Sequence, residues 1–155
     1  MSDFSPHDHG QCVETGLSAA EAHCAKVRAR LTPVRRRTLE ILLREHKAMG
    51  AYEVLAHLDK DGLGSAPPVA YRALDFLVTH GLVHKVEKLN AYVACAHPGE
   101  QHDPAFMICR SCDAVAEATS DPQAGHLGKA AQDAGFEIER TIVEAEGICP
   151  SCQAE

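Results

Sequence analysis

Residues 66–95, APPVAYRALDFLVTHGLVHKVEKLNAYVAC, change hydrophobic period partway along. As far as Gly81 the spacing is helical. Ala70, Leu74, Leu77 and Val78 make one apolar stripe, Pro67 and Pro68 fix the entry, and Gly81 supplies the stop. After Gly81 come two short β-prone runs about a polar turn, which predict a hairpin. With the turn centred on Leu89 and Asn90, residue 86 opposes 93 and His84 opposes Cys95. A helix running straight into a hairpin is how a winged helix-turn-helix ends, so the chain before residue 66 should supply the other helices.

It does. Thr32 followed by Pro33 is a helix start, because proline at the first helical position lacks only a donor that would be unpaired anyway. Val34, Thr38, Ile41 and Leu42 then share a face, and AYEVLAHLDKDG (51–62) reads as a further helix closed by Gly62. Ser18 with Glu21 three residues on has capping-box spacing, which predicts a first helix from Ser18 to Arg30 and leaves 1–17 as a disordered tail. On this reading residues 18–94 are a winged-helix DNA-binding domain. The helix at 67–80, which carries Tyr71 and Arg72, is its recognition helix, and Arg35, Arg36 and Arg37 are basic residues suited to phosphates.

The formal net charge of −7 speaks against nucleic acid only until it is divided along the chain. Residues 26–93 hold twelve Lys or Arg against seven Asp or Glu, whereas residues 94–155 hold three against eleven. A basic, anion-facing module is thus joined to an acidic one. No stretch reaches the ~20 apolar residues of a membrane span. The first 17 residues lack the apolar run of a secretory signal. These features, with an odd count of seven cysteines, point to the cytoplasm, where paired cysteines more often bind metal or do chemistry than form structural disulfides.

After AHPGEQHDP (96–104), a loop rich in Pro, Gly and His, the pattern changes again. AFMIC (105–109) and AVAEA (114–118) read as strands flanking a CxxC turn. Asp121 and Pro122 open a helix that Gly135 ends, and FEIERTIVEAEGIC (136–149) reads as one long strand running into a second CxxC. Residues 95–102 are a hinge and 103–155 a second, small α/β unit, making the chain α+β overall.

Cys109 and Cys112, with Cys149 and Cys152, can close a tetrahedral site of four thiolates, and a closed site is structural. The unit has few large apolar residues, and such a zinc can contribute on the order of 10 kcal/mol to folding. CPSC at 149–152 also invites a dithiol-redox reading. Against it, a reactive pair is usually activated at a helix N-terminus, and only three residues follow Cys152, too few for a helix. A zinc deaminase would need HxE beside PCxxC; neither CxxC here follows a proline, so the chain is not expected to be an enzyme or to take a small organic substrate.

Cys95 ends the second hairpin strand opposite His84, His102 lies in the following loop, and Glu117 sits in the AVAEA strand. Taken singly these are a strand histidine, a small buried thiol, a loop histidine and a solvated carboxylate. Taken together at the domain junction they make an N/S/N/O set that sums to zero charge with Zn²⁺, and soft thiolate suits zinc better than ferrous iron.

RLTPVR, PPVAYRALDFLVTHGLVHKVE, NAYVAC, FMICRSC and GICPSC resemble the ferric uptake regulator family, specifically its zinc uptake regulator branch, over residues 18–152. The resemblance implies a winged-helix domain hinged to a dimerisation domain in a homodimer, and two Zn²⁺ per protomer. Cys109, Cys112, Cys149 and Cys152 match the structural ligands, and His84, Cys95, His102 and Glu117 the regulatory ones. It implies a repressor of zinc uptake genes that binds a double-stranded operator when its hinge is loaded. One departure is Val69, where the family usually has threonine. Relatives that sense iron, manganese or peroxide are the nearest alternative. A zinc buffer or redox module collecting metal on His7, His9 and Cys12 is a rival of another class, and the recognition-helix pattern speaks against it.

Overall fold

The computed structural model describes residues 4–5, 8–45 and 47–154. Four helices come first: α1 (His9–Lys26), α2 (Pro33–Arg44), α3 (Ala51–Lys60) and α4 (Pro67–Thr79). A hairpin of β1 (Val83–Val86) and β2 (Ala91–Ala94) follows, then β3 (Asp103–Cys109), β4 (Val115–Ser120), α5 (His126–Ala134), β5 (Val143–Gly147) and the single turn α6 (Pro150–Gln153).

The predicted starts of α2 and α4 are present. Thr32 Oγ1 accepts the Arg35 N–H across the first turn of α2, and proline opens both helices. Gly62 and Gly81, at φ of 70° and 69°, take the left-handed conformation that ends α3 and α4. Val78 is not part of the α4 stripe. It is exposed, and Ala73 joins Ala70, Leu74 and Leu77 inside.

The first helix begins at His9, not Ser18, so the stretch 9–17 is helical rather than a disordered tail. Asp8 accepts the Gly10 N–H as N-cap, and Val13 and Leu17 extend backwards the buried stripe of Ala20 and Cys24. The glycines at 10 and 16 weaken helix propensity by about 1 kcal/mol each. Gly16 is there for packing: a Cβ would come within 2.7 Å of the Leu43 side chain on α2. His7, of the metal-collecting tail, lies outside the described residues.

α1–α4 and the hairpin enclose one apolar core, with Leu42, Leu58, Leu74, Leu77, Leu82 and Val83 almost fully buried. The hairpin register differs from expectation by two residues. Val86 pairs with Ala91 and His84 with Val93, because the turn is the four residues Glu87–Asn90, closed by Asn90 at φ 46°. Since side chains alternate with period two, this slip leaves His84 and Cys95 on the same face, as diagonal rather than direct neighbours. Met49 adds a bridge to Tyr92 on the outer edge of the hairpin.

In the second unit β3 is central, antiparallel to β4 and parallel to β5. The long final strand is shorter than predicted: residues 136–142 have no ladder partner, and pairing starts where Val143 meets Ala105. Asp121 and Pro122 form a turn, not a helix start. Asp121 Oδ1 accepts the Ala124 N–H, and the Gln123 carbonyl lies where a side chain on residue 128 would be, a place only Gly128 leaves free. α5 therefore starts at His126 and ends, as expected, at Gly135, φ 66°. A smaller apolar cluster of Val86, Phe106 and Ile108, backed by Leu89, Val93 and Val115, joins the hairpin to this sheet. Among the described residues no helix is long and apolar enough to cross a membrane.

Candidate metal centres

The disconnected histidines and cysteines of the sequence converge in two places. Among the described residues, His84, Cys95, His102 and Glu117 form one group and Cys109, Cys112, Cys149 and Cys152 the other, each with ligand atoms within 4.8 Å of one another. The first lies beside the start and middle of β3, where His102 precedes the strand and Glu117 pairs with Phe106, and the second at its end, at Cys109.

In the first group His84 comes from β1, Cys95 follows β2, His102 precedes β3 and Glu117 is on β4. The irregular segment 95–102 thus carries a ligand at each end, and the site sits across the junction of hairpin and sheet. His102 Nε2 lies 2.8 Å and His84 Nε2 3.3 Å from Glu117 Oε1, and Cys95 Sγ is 3.5 Å from His102 Nε2 and 4.0 Å from Glu117 Oε1. Four donors at 2.0–2.3 Å from one zinc stand about 3.3–3.8 Å apart, and the observed separations bracket that range.

Neighbouring groups aim these atoms. Ala96 N–H donates to Glu117 Oε2 at 2.8 Å, leaving Oε1 to face inward. In the neutral ring, donation from His102 Nδ1 to the Glu100 carbonyl, 2.8 Å away, leaves a bare lone pair on Nε2. The His97 N–H donates to Cys95 Sγ at 3.3 Å. His84 Nε2 is buried and, although 3.3 Å from Glu117 Oε1, meets no hydrogen-bond partner at a bonding angle. A buried ring nitrogen without a hydrogen-bond partner, facing a thiol and a carboxylate, is placed as a metal ligand would be. The donor set therefore fits zinc.

The electrostatics agree. Burial would raise the Glu117 carboxyl, but His84, the Ala96 N–H and His102 outweigh it and hold it at about 2. Burial would lower His102, but the Glu100 carbonyl and Glu117 raise it. Burial, reinforced by the charge of Glu117, pushes the Cys95 thiol up to about 12, so a metal bound there must displace a proton.

In the second group Cys109 ends β3, Cys112 closes the turn after it, and Cys149 is the N-cap of α6, in which Cys152 lies. The expectation that the last CxxC has no helix is thus corrected: a single turn begins inside the pair, with Cys149 as its N-cap. The four sulfurs nonetheless converge, and none of the four is in a disulfide. Cys112 Sγ stands 3.7 Å from Cys149 Sγ, against about 2.05 Å for a disulfide and about 3.8 Å along the edge of a zinc–thiolate tetrahedron. The Cys149 N–H donates to Cys109 Sγ at 3.3 Å and, with the N–H groups of Cys112 and Ser111, lowers Cys109 to about 6. The neighbouring Cys149 sulfur pushes Cys152 up to about 12. One thiolate already stabilised and the others gathered round it fit a four-thiolate metal site.

Tyr71 and Arg72 are exposed on α4, as expected. Tyr52 of α3, which no sequence pattern singled out, is 67% exposed and stands edge-on to Tyr71 with ring centroids 6.4 Å apart. The arginine triplet is engaged within the chain. Arg35 lies 3.7 Å over the Phe76 ring, Arg36 pairs with Glu21 at 3.0 Å, and Arg37 pairs with Asp61 at 2.6 Å and Glu40 at 3.2 Å. Val69 packs on Gly64 in place of the absent threonine.

Residues 26–145 match the model of the Ferric uptake regulator family. The Zinc uptake regulation protein of Escherichia coli (strain K12) is 38% identical over 138 residues, 88% of this chain and 80% of that protein. A solved Zinc Uptake Regulator complexed with zinc and DNA is 36% identical, with a TM-score of 0.86 over 92% of this chain and 95% of that one. XcZur in its holo form gives 0.81 at 37% identity, covering 91% and 99%, whereas its apo form gives 0.53 at 36% identity, covering 92% and 99%. With sequence nearly constant across the last pair, the difference is one of arrangement, and this structure is more similar to the holo form than to the apo form. The chain belongs to the ferric uptake regulator family.

Proposed function

We propose that this protein is a zinc-responsive transcriptional repressor, a homodimer that binds operator DNA when its hinge site holds zinc and so controls zinc uptake genes in the cytoplasm. The observation that carries this reading is the placement of His84, Cys95, His102 and Glu117: one ligand belongs to the hairpin, two stand at the ends of the hinge and one belongs to the C-terminal sheet. Bound there, zinc supplies a cross-link between four donors. The chain does the rest. His84 and Cys95 are rooted in the core of the N-terminal unit through β1 and the end of β2, so their position fixes that of α4. Glu117 is rooted in the sheet by its β-pairing with Phe106. Holding the three elements together fixes the angle between DNA-binding head and dimerisation unit, and two heads per dimer then reach major grooves roughly one helical turn apart.

The thiolate of Cys95 decides among metals, since iron and manganese sensing favours harder oxygen and nitrogen donors. We assign Cys109, Cys112, Cys149 and Cys152 to the structural zinc and residues 103–155 to the dimerisation unit. Met107, Leu127, Phe136 and Ile142 leave this unit with four exposed large apolar side chains, an excess that a second protomer covers.

On the DNA face, Tyr71 and Arg72 are assigned to bases, with Tyr52 beside them. Of the arginine triplet Arg36 is the one suited to a phosphate, because its surface ion pair with Glu21 is worth at most about 1 kcal/mol and can be exchanged. Arg72→Ala is expected to weaken binding to an operator duplex by roughly ten- to a hundredfold while leaving binding to unrelated duplex nearly unchanged, the pattern of a lost base contact. Anisotropy titrations on both duplexes check this. Equal loss on both would reduce Arg72 to a phosphate contact.

A further inference from the structure

The hairpin is fastened to the second unit at two points, and the metal site is only one of them. At the other, the turn Glu87–Asn90 meets β5. Glu144 accepts the backbone N–H of Glu87 at 2.6 Å and that of Lys88 at 2.9 Å, across more than fifty residues of chain. Arg140 pairs with the Glu87 carboxylate at 3.0 Å, and Lys88 with Glu146 at 3.2 Å. Two consecutive N–H groups converging on one carboxylate form an anion cradle with charge-assisted bonds. Acidic residues of the C-terminal unit thus face the basic head, so its charge excess is partly used inside the molecule.

From His84 at the base of β1 to the Glu87 amide is about 10 Å along the strand. A head fastened at one point can pivot about it. Fastened at both, with Val86 and Leu89 packed on the β3 sheet between them, it has one orientation. The backbone donors of the turn, which could otherwise meet a DNA phosphate, are occupied by Glu144.

We infer that Glu144 is a positioning residue for repression: it latches the wing turn to the dimerisation unit and so sets the zinc concentration at which the head closes into its DNA-binding arrangement. This rests on the zinc-responsive reading above. Because closing is what couples the two ligands, anything that favours it is felt by zinc and DNA alike.

The test uses the full-length dimer and a duplex selected from a random pool by the zinc-loaded wild type, with free zinc set by a chelator buffer. Glu144→Ala is expected to raise the zinc concentration for half-maximal duplex binding about tenfold, with two zinc ions per protomer retained and the Glu87 and Lys88 amides exchanging faster with solvent. Glu144→Gln, which keeps an acceptor but no charge, shifts it less, and Glu146→Ala, which removes only the Lys88 ion pair, leaves it within about twofold. A midpoint for Glu144→Ala within twofold of a zinc-dependent wild type overturns the latch, as does an equal shift in Glu146→Ala, which would mean general charge rather than a specific contact. A wild type that binds the duplex equally with and without zinc overturns the repressor reading itself, and the latch with it.

Discussion

Cys95→Ala is expected to retain one tightly held zinc per protomer, lose the exchangeable one, and bind operator about a hundredfold more weakly than wild type at a zinc level that saturates the latter. The thiolate is the softest of the four hinge donors and supplies half of the negative charge that neutralises Zn²⁺. Without it two imidazoles and the Glu117 carboxylate remain, a set that suits zinc less well. The substitution itself is mild for the fold. Cys95 is 5% exposed at the end of β2, alanine fills most of its volume, and the His97 N–H that loses its sulfur acceptor belongs to an exposed residue that water can reach. The loss should therefore appear in zinc binding and DNA binding but not in melting. A hundredfold effect corresponds to about 3 kcal/mol of coupling, at the upper end of ordinary allosteric couplings. Zinc content after chelator challenge, with anisotropy on the same samples, decides it. A variant that still holds two zinc ions, or binds operator as well as wild type, would contradict the assignment of Cys95.

Cys112→Ser should act on the other site, and on stability. The C-terminal unit buries little that is apolar: Phe106, Ile108 and Ala116 on the sheet, and only Ala131 on α5. A unit so small depends on a staple, and the free energy of zinc in a four-thiolate site is comparable with the whole stability of an ordinary domain. Serine lacks the soft thiolate and leaves three sulfurs gathered without a fourth. The variant should lose the inert zinc, drop its melting temperature by on the order of 20 °C, and sediment as a monomer, because the face bearing Met107 and Phe136 is held in shape by the site at the end of β3. Elemental analysis and a melting curve check this. Unchanged zinc content with unchanged melting would show the cluster to be four ordinary thiols.

The two sites were legible in the sequence for different reasons. Two CxxC pairs carry their own signal, because the spacing fixes each pair locally and only one long-range contact remains to be guessed. The hinge site has no such spacing, and its members are ordinary taken singly. The period of the hairpin placed only His84 and Cys95 together, and the resemblance to the zinc uptake regulators was needed to support the full set with His102 and Glu117. The predicted turn was two residues too short, yet a slip of two returns every side chain to its own face, so His84 and Cys95 still meet. A slip of one would have pointed His84 away.

What the sequence hid are features created by tertiary contact. Glu40, three residues on from Arg37, is a partner that local helical spacing allows, but Phe76 for Arg35, Glu21 for Arg36 and Asp61 for Arg37 are too far along the chain to be inferred from local pattern. Glu144 reads as a solvated strand residue until the wing turn arrives beside it. α1 was cut short because Ser18 and Glu21 have capping-box spacing in what proves to be the helix interior, and Gly16 shows its purpose only when Leu43 is seen packed against it. Residues 136–142 have β-prone character but no neighbouring strand, and without a ladder they remain irregular.

The central claim is that occupancy of the hinge site governs DNA binding. The most direct measurement is the affinity of wild-type dimer for its selected operator duplex at fixed ionic strength, once with both sites zinc-loaded and once with the hinge stripped by a chelator that spares the four-thiolate site. About a hundredfold tighter binding with the hinge loaded, and by linkage an equal tightening of hinge zinc when operator is present, is the result expected. Equal operator affinity in the two states would contradict it.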